Sequence, residues 1–94
     1  MPTPLPPFDL DLLRTFAAIA DSGGFTRAAE RIGLTQSTVS LQIRKLEEGL
    51  GHAVFARRGS GRSSTITLTP KGEVLLACAR KVLHLCDEAR SRII

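Results

Sequence analysis

The sequence predicts one small, mainly α-helical domain made of three short helices, a two-stranded β-hairpin and a long fourth helix. Three observations carry that expectation. Apolar residues recur every three or four positions up to Leu50 and again from Leu75 onward. The helical period breaks between His52 and Leu68, where two short β-compatible segments flank the loop RRGSGRSS. Glycine or a Thr-Pro pair stands at each change of pattern.

The elements follow in order. Asp9 is placed to cap the first helix, and Phe8 with Leu13 fits a hydrophobic staple at its start. Leu12, Phe16 and Ile19 then recur at helical spacing, with Leu13, Ala17 and Ala20 beside them, until Ser22-Gly23-Gly24. Thr26 is the expected cap of a short second helix whose Ala28, Ala29 and Ile32 share one side and which Gly33 ends. Thr35 caps a third helix running to about Leu50, before Gly51. The second and third helices, joined by a short glycine-containing turn, form a helix-turn-helix outline over about residues 25–44.

His52 to Phe55 and Ile66 to Leu68 read as the two strands of a wing, over about residues 53–68, with a basic tip. The resulting class is a winged helix-turn-helix, residues 9–68, followed by a long helix. From Thr69, with Pro70 at the first helical position, the chain reads as continuous helix over residues 69–94, roughly 37 Å long at the usual rise. This helix carries two apolar stripes: Leu75, Cys78, Val82, Leu85 and Ala89, and Leu76, Ala79, Leu83, Cys86 and Ile93. One stripe can pack on the domain, and the other calls for a second chain, so a homodimer through this helix is expected. The expected interface residues are Leu75, Leu76, Ala79, Val82, Leu83, Cys86 and Ile93.

The 94 residues suffice for one domain with a modest core, at 43% apolar content. Thirteen Lys and Arg against nine Asp and Glu leave a formal charge of +4, and the excess is concentrated in the middle. Between Phe25 and Ser64 stand Arg27, Arg31, Arg44, Lys45, Arg57, Arg58 and Arg62 against Glu30, Glu47 and Glu48 only. The middle is therefore the part suited to a polyanion. Residues 1–8, within MPTPLPPFDL, hold four prolines and read as an extended tail, without the basic and apolar regions of a signal peptide. No apolar run reaches the length of a membrane span, and two cysteines suit a reducing cytoplasm.

On a helical wheel Val39, Ile43, Leu46 and Leu50 occupy one inner arc. Opposite them fall Ser37, Leu41, Arg44 and Glu48, with Gln36, Ser40 and Lys45 on the flanks. Such a run can be simply a cap and a solvated face. Its place after a short helix, inside the basic segment and before an arginine-rich hairpin, favours a recognition helix whose first turns enter a DNA major groove. Short side chains let the backbone approach, and the Gln36 amide suits an adenine edge. Leu41, central on that face, is either an ordinary exposed leucine or a contact to a thymine methyl or a sugar.

Arg57, Arg58 and Arg62, tethered by Gly59 and Gly61, suit an adjacent minor groove or phosphates, against the simpler reading of a solvated loop. Thr26 and Arg27 are candidates for phosphate contacts. With Thr35, Gln36, Ser37, Ser40, Leu41 and Arg44 these complete the expected double-stranded-DNA-contacting set.

No catalytic constellation is visible. Cys78 and Cys86 lie eight apart on one helix, about 12 Å along its axis, too far to bridge within a chain. His84 and Cys86 point to different sides, so no metal site is expected. An enzyme is not expected, nor is a cofactor. The rival reading is a dimerising winged-helix module whose basic face takes a protein partner.

The run FTRAAERIGLTQSTVSLQIRKLEEGLGHAVFAR, followed by LTPKGEVLL, closely resembles the N-terminal DNA-binding domain of LysR-type transcriptional regulators, from about Leu10 to Leu85. That resemblance implies a dimerising linker helix and binding to interrupted inverted repeats. It implies that Gln36, Ser37 and Ser40 face the groove and that Thr26 and Arg27 lie near phosphate. Ser37 and Leu41 depart from the family, which often has proline and arginine there. Such regulators continue into an effector-binding domain of two α/β lobes, absent from these 94 residues. The chain is therefore expected to be the DNA-binding fragment of a longer, cytoplasmic regulator.

Overall fold

The computed structural model describes residues 9–58 and 65–94. The expected tail, the Phe8 half of the staple, and Gly59, Gly61 and Arg62 of the wing tip lie outside the described residues. Four helices and one hairpin follow in chain order: α1 Leu10–Ser22, α2 Phe25–Ile32, α3 Gln36–Leu50, β1 Phe55–Arg58, β2 Thr65–Leu68 and α4 Pro70–Ile93. This is the mainly helical winged helix-turn-helix expected from the sequence.

Local chemistry sets most boundaries. The Asp9 carboxylate accepts from the Leu12 N–H at 3.0 Å and starts α1. Gly33 ends α2 in the left-handed region, at φ 74°, and the Leu34 N–H then bonds the Ala29 carbonyl at 2.9 Å. This closure turns the chain within two residues, and glycine adopts it without the steric cost of a Cβ. Thr35 and Thr69 both cap as expected, accepting from the Thr38 N–H at 3.2 Å and the Gly72 N–H at 3.0 Å.

Two boundaries differ from expectation. Thr26 does not cap α2: the cap is Gly24, which lies extended directly after the left-handed Gly23, and no side chain bonds the end of the helix. The chain thus re-enters helix two residues earlier, and Thr26 sits exposed in the first turn. The first strand begins at Phe55 instead of His52. The backbone just before it is already engaged, because Ala53 O accepts from Thr69 Oγ1 at 2.7 Å and Val54 O accepts from Thr69 N–H at 3.1 Å. Those carbonyls hold the start of α4 and leave the hairpin to pair antiparallel from Phe55↔Leu68 to Arg58↔Thr65.

The core gathers Leu13, Phe16 and Ile19 of α1, Ala28 and Ala29 of α2, Val39, Ile43 and Leu46 of α3, Val54 and Ala79. Helix α1 packs against all three other helices. The two alanines of α2 leave no bulk between helices, so α2 and α3 approach α1 closely. Phe55 joins the wing to this core, its ring 5.2 Å from Phe16 and 5.9 Å from Phe25 between centroids, the second contact edge-on.

Helix α4 divides its two stripes as a surface helix must. Ala79 is 1% exposed, Leu76, Leu83 and Cys86 are half-buried, and Arg80 reaches Asp21 of α1 at 2.8 Å. Cys78, Val82, Leu85 and Ala89 are exposed. Ala79, expected at an interface between chains, is thus closed off inside the monomer, where its small side chain lets α4 pack on the core. Leu75 and Leu76 are partly covered in the same way. No described helix is long and apolar enough to cross a membrane.

One contact was not foreseen. Gly72 is buried in the first turn of α4, and a Cβ there would lie 2.1 Å from the Val54 carbonyl oxygen. Only a hydrogen fits. Gly72→Ala is therefore expected to destabilise the fold by about 3 kcal/mol, at the upper end of overpacking costs, in urea unfolding followed by circular dichroism.

Candidate nucleic-acid interface

Helix α3 builds the site, and its inner face decides what the outer face can do. Val39, Ile43 and Leu46 are buried in the core, with Val39 and Leu46 wholly closed off. Gln42 adds a polar anchor beside them, accepting from the Thr15 hydroxyl of α1. With one side fixed, residues about half a turn away must face out. Gln36, Ser37, Ser40, Leu41 and Arg44 do so, all exposed, and together they line one shallow open depression.

The front of the helix is tightly organised. Thr35 Oγ1 accepts from the Thr38 N–H, lies 2.8 Å from Thr38 Oγ1 and 3.4 Å from Ser37 Oγ. This cluster secures one of the four amides that a helix start leaves unpaired. The remaining amides and the positive end of the helix dipole favour an anion nearby. The ordering also limits the freedom of Thr35 and Ser37 before any partner arrives.

The other expected site residues fall around this helix. Thr26 and Arg27 are exposed in the first turn of α2. Arg57 is exposed on β1, while for Arg58 only the backbone, paired with Thr65, belongs to the described residues. Arg62 lies outside them. Lys45 and Arg44 add positive charge on the open side of α3, against the exposed Glu48.

Sequence reasoning missed the residue that ties the wing to α3. Glu47 Oε2 accepts from the Val54 N–H at 2.8 Å and from the Phe55 N–H at 3.5 Å. A half-buried carboxylate on α3 thus fixes the first residues of the hairpin. A signal was available: Glu47 and Glu48 stand near the C-terminal end of α3, where the helix dipole disfavours negative charge. An acid there calls for a compensating donor. Among the described residues no cluster of His, Cys, Asp or Glu could hold a metal ion.

Comparisons with known proteins converge on this arrangement. Residues 10–73 match the sequence model of a family described as bacterial regulatory helix-turn-helix protein, lysR family. The chain is 47% identical over 81 residues to the HTH-type transcriptional regulator PecT of Dickeya dadantii, covering 86% of this chain and 24% of that protein. It is 42% identical over 81 residues to the HTH-type transcriptional regulator DgdR of Burkholderia cepacia, with 86% and 26% covered. The chain thus spans about a quarter of the length of these curated relatives.

Among solved structures, the BenM DNA-binding domain in complex with catB site 1 DNA superposes with a TM-score of 0.82 at 35% identity, covering 92% of this chain and 91% of that one. The CbnR DNA-binding domain in complex with DNA superposes at 0.79 with 30% identity, covering 90% and 93%.

The Glu47 anchor yields a direct check. Glu47→Leu leaves two partly buried amides without their acceptor and should cost about 1–3 kcal/mol in urea unfolding. Glu47→Gln keeps an acceptor oxygen and should cost much less, and amide exchange at Val54 and Phe55 should accelerate in the leucine variant alone.

Proposed function

Because the chain belongs to the lysR family of bacterial regulatory helix-turn-helix proteins, we propose that it is the module of a transcriptional regulator that binds double-stranded DNA by sequence. The family consists of regulators and not of enzymes. The observation that carries the proposal is the two-sidedness of α3: a buried apolar seam opposite an open face of Gln36, Ser37, Ser40, Leu41 and Arg44. The superposition on BenM and CbnR domains bound to DNA supports it.

In this proposal the first turns of α3 lie in the major groove. Short serines let the backbone approach, the Gln36 amide meets an adenine edge, and Arg44 takes a phosphate. Thr26 and Arg27 hold the adjoining backbone, and the Thr35 cap keeps the helix start intact. The wing arginines, Arg57, Arg58 and Arg62, lie in or beside the minor groove.

Two copies join through α4. The support is the exposed run of Val74, Val82, Leu85 and Ile93, of which Val74 is 65% and Ile93 85% exposed. Leu75, Leu76, Leu83 and Cys86 contribute the edges their half-burial leaves open. A twofold pair presents two α3 helices to one duplex, which selects an interrupted inverted repeat. The setting is the cytoplasm, where the DNA is, and effector sensing is not a task of this domain.

Salt dependence separates this function from a protein-binding role. DNA affinity should fall steeply as salt rises, with a logarithmic slope of about −0.9 per phosphate neutralised. Arg44→Ala and the Arg57→Ala/Arg58→Ala pair should each weaken binding, lowering the slope by about one and about two, while sedimentation still reports the dimer. Unchanged DNA affinity in both would contradict the assignment of these residues.

A further inference from the structure

We infer that Leu41 is a specificity-determining residue that reads the 5-methyl group of a thymine. The inference rests on the DNA-binding function proposed above and assigns one residue of that face a chemical target. Leu41 is 49% exposed. Its neighbours one turn away on α3 are Ser37, Thr38, Arg44 and Lys45, none of them apolar, so the monomer offers it no packing partner on its own helix. It lines the open depression together with Gln36, Ser37, Ser40 and Arg44, and is the one apolar member of that set.

An isolated exposed leucine is ordinary on a protein surface. This one stands at the centre of the face opposite Val39, Ile43 and Leu46, the face that must meet whatever α3 binds. A major groove offers an apolar side chain a single kind of apolar group, the thymine C5-methyl. The other positions there are hydrogen-bonding groups, which a leucine would strip of water without replacing the bond, or the C–H edges of cytosine C5 and purine C8, which carry no methyl to bury. Leu41 thus favours thymine through burial of its methyl, which cytosine lacks. Ser37 and Ser40 are short, so they do not hold the leucine away from the base edges.

Deoxyuridine tests this, because it differs from thymine only by that methyl. A binding site is first selected from a random duplex pool with the wild-type protein. Each thymine of one half-site is then replaced in turn by deoxyuridine, and affinity is measured by fluorescence anisotropy for wild type and Leu41→Ala. One replacement should weaken the wild type about fourfold, the worth of roughly one buried methyl group. The same replacement should leave the Leu41→Ala affinity unchanged.

Exposure of the side chain means the variant should fold as the wild type does, which a thermal melt verifies. If the wild type selects a site but no deoxyuridine effect disappears in Leu41→Ala, the inference about Leu41 is overturned while the DNA-binding function stands. If no sequence is enriched at moderate salt, the DNA-reading function itself fails, and Leu41 has nothing to read.

Discussion

The buried seam of Val39, Ile43 and Leu46 is the constraint on which the rest of the molecule depends. These side chains anchor α3 against the core, and their spacing of three and four residues sets its rotation about its own axis. The open face is a consequence of that rotation. Gln36, Ser37, Ser40, Leu41 and Arg44 point outward because the opposite positions are fully occupied. Sliding α3 by one residue would bury polar groups without partners and expose the seam, so packing fixes the register of the open face along with the fold. The Thr15–Gln42 hydrogen bond reinforces the same register from α1.

A second centre, at Val54, ties the remaining elements to that helix through directed hydrogen bonds as well as burial. Its N–H bonds Glu47 of α3, its carbonyl bonds the Thr69 N–H at the start of α4, and its side chain is wholly buried. Gly72 lies against the same carbonyl, so α4 leaves the domain at a point where almost no lateral shift is possible. In a domain with a modest core, directional bonds of this kind fix geometry that hydrophobic burial alone would leave loose. The wing therefore starts from a defined place beside α3, and the long helix departs from a defined place beside the wing. In the proposed dimer the same junction sets how the exposed side of α4 is oriented relative to the open face of α3.

Much of this was legible in the sequence because it is local. Asp9, Thr35 and the Thr69-Pro70 pair cap helices through their own side chains and fixed angles, and Gly33 and Gly51 end them through left-handed backbone that glycine accepts. The inner arc of α3 was readable from period alone. What escaped was tertiary. Gly24 displaced Thr26 as a cap because a double glycine lets the chain turn sooner. The first strand started late because residues 53–54 bond α4, and Ala79 lay inside because helix approach selects small residues. Glu47 stands out along the chain only as an acid near a helix C-terminus and Gly72 not at all, and only the fold brings both to Val54.

In the proposed complex, two copies of this domain insert the first turns of their α3 helices into successive major grooves on one face of a duplex. Dimethyl sulfate protection of guanine N7, an atom of the major groove, measures that placement most directly on a site selected by the protein. The predicted result is two protected patches in major grooves facing the same side, with centres about one helical turn, roughly 10–10.5 base pairs, apart. Protection in one groove only with a dimer bound, or binding that leaves the major groove fully reactive, would contradict it.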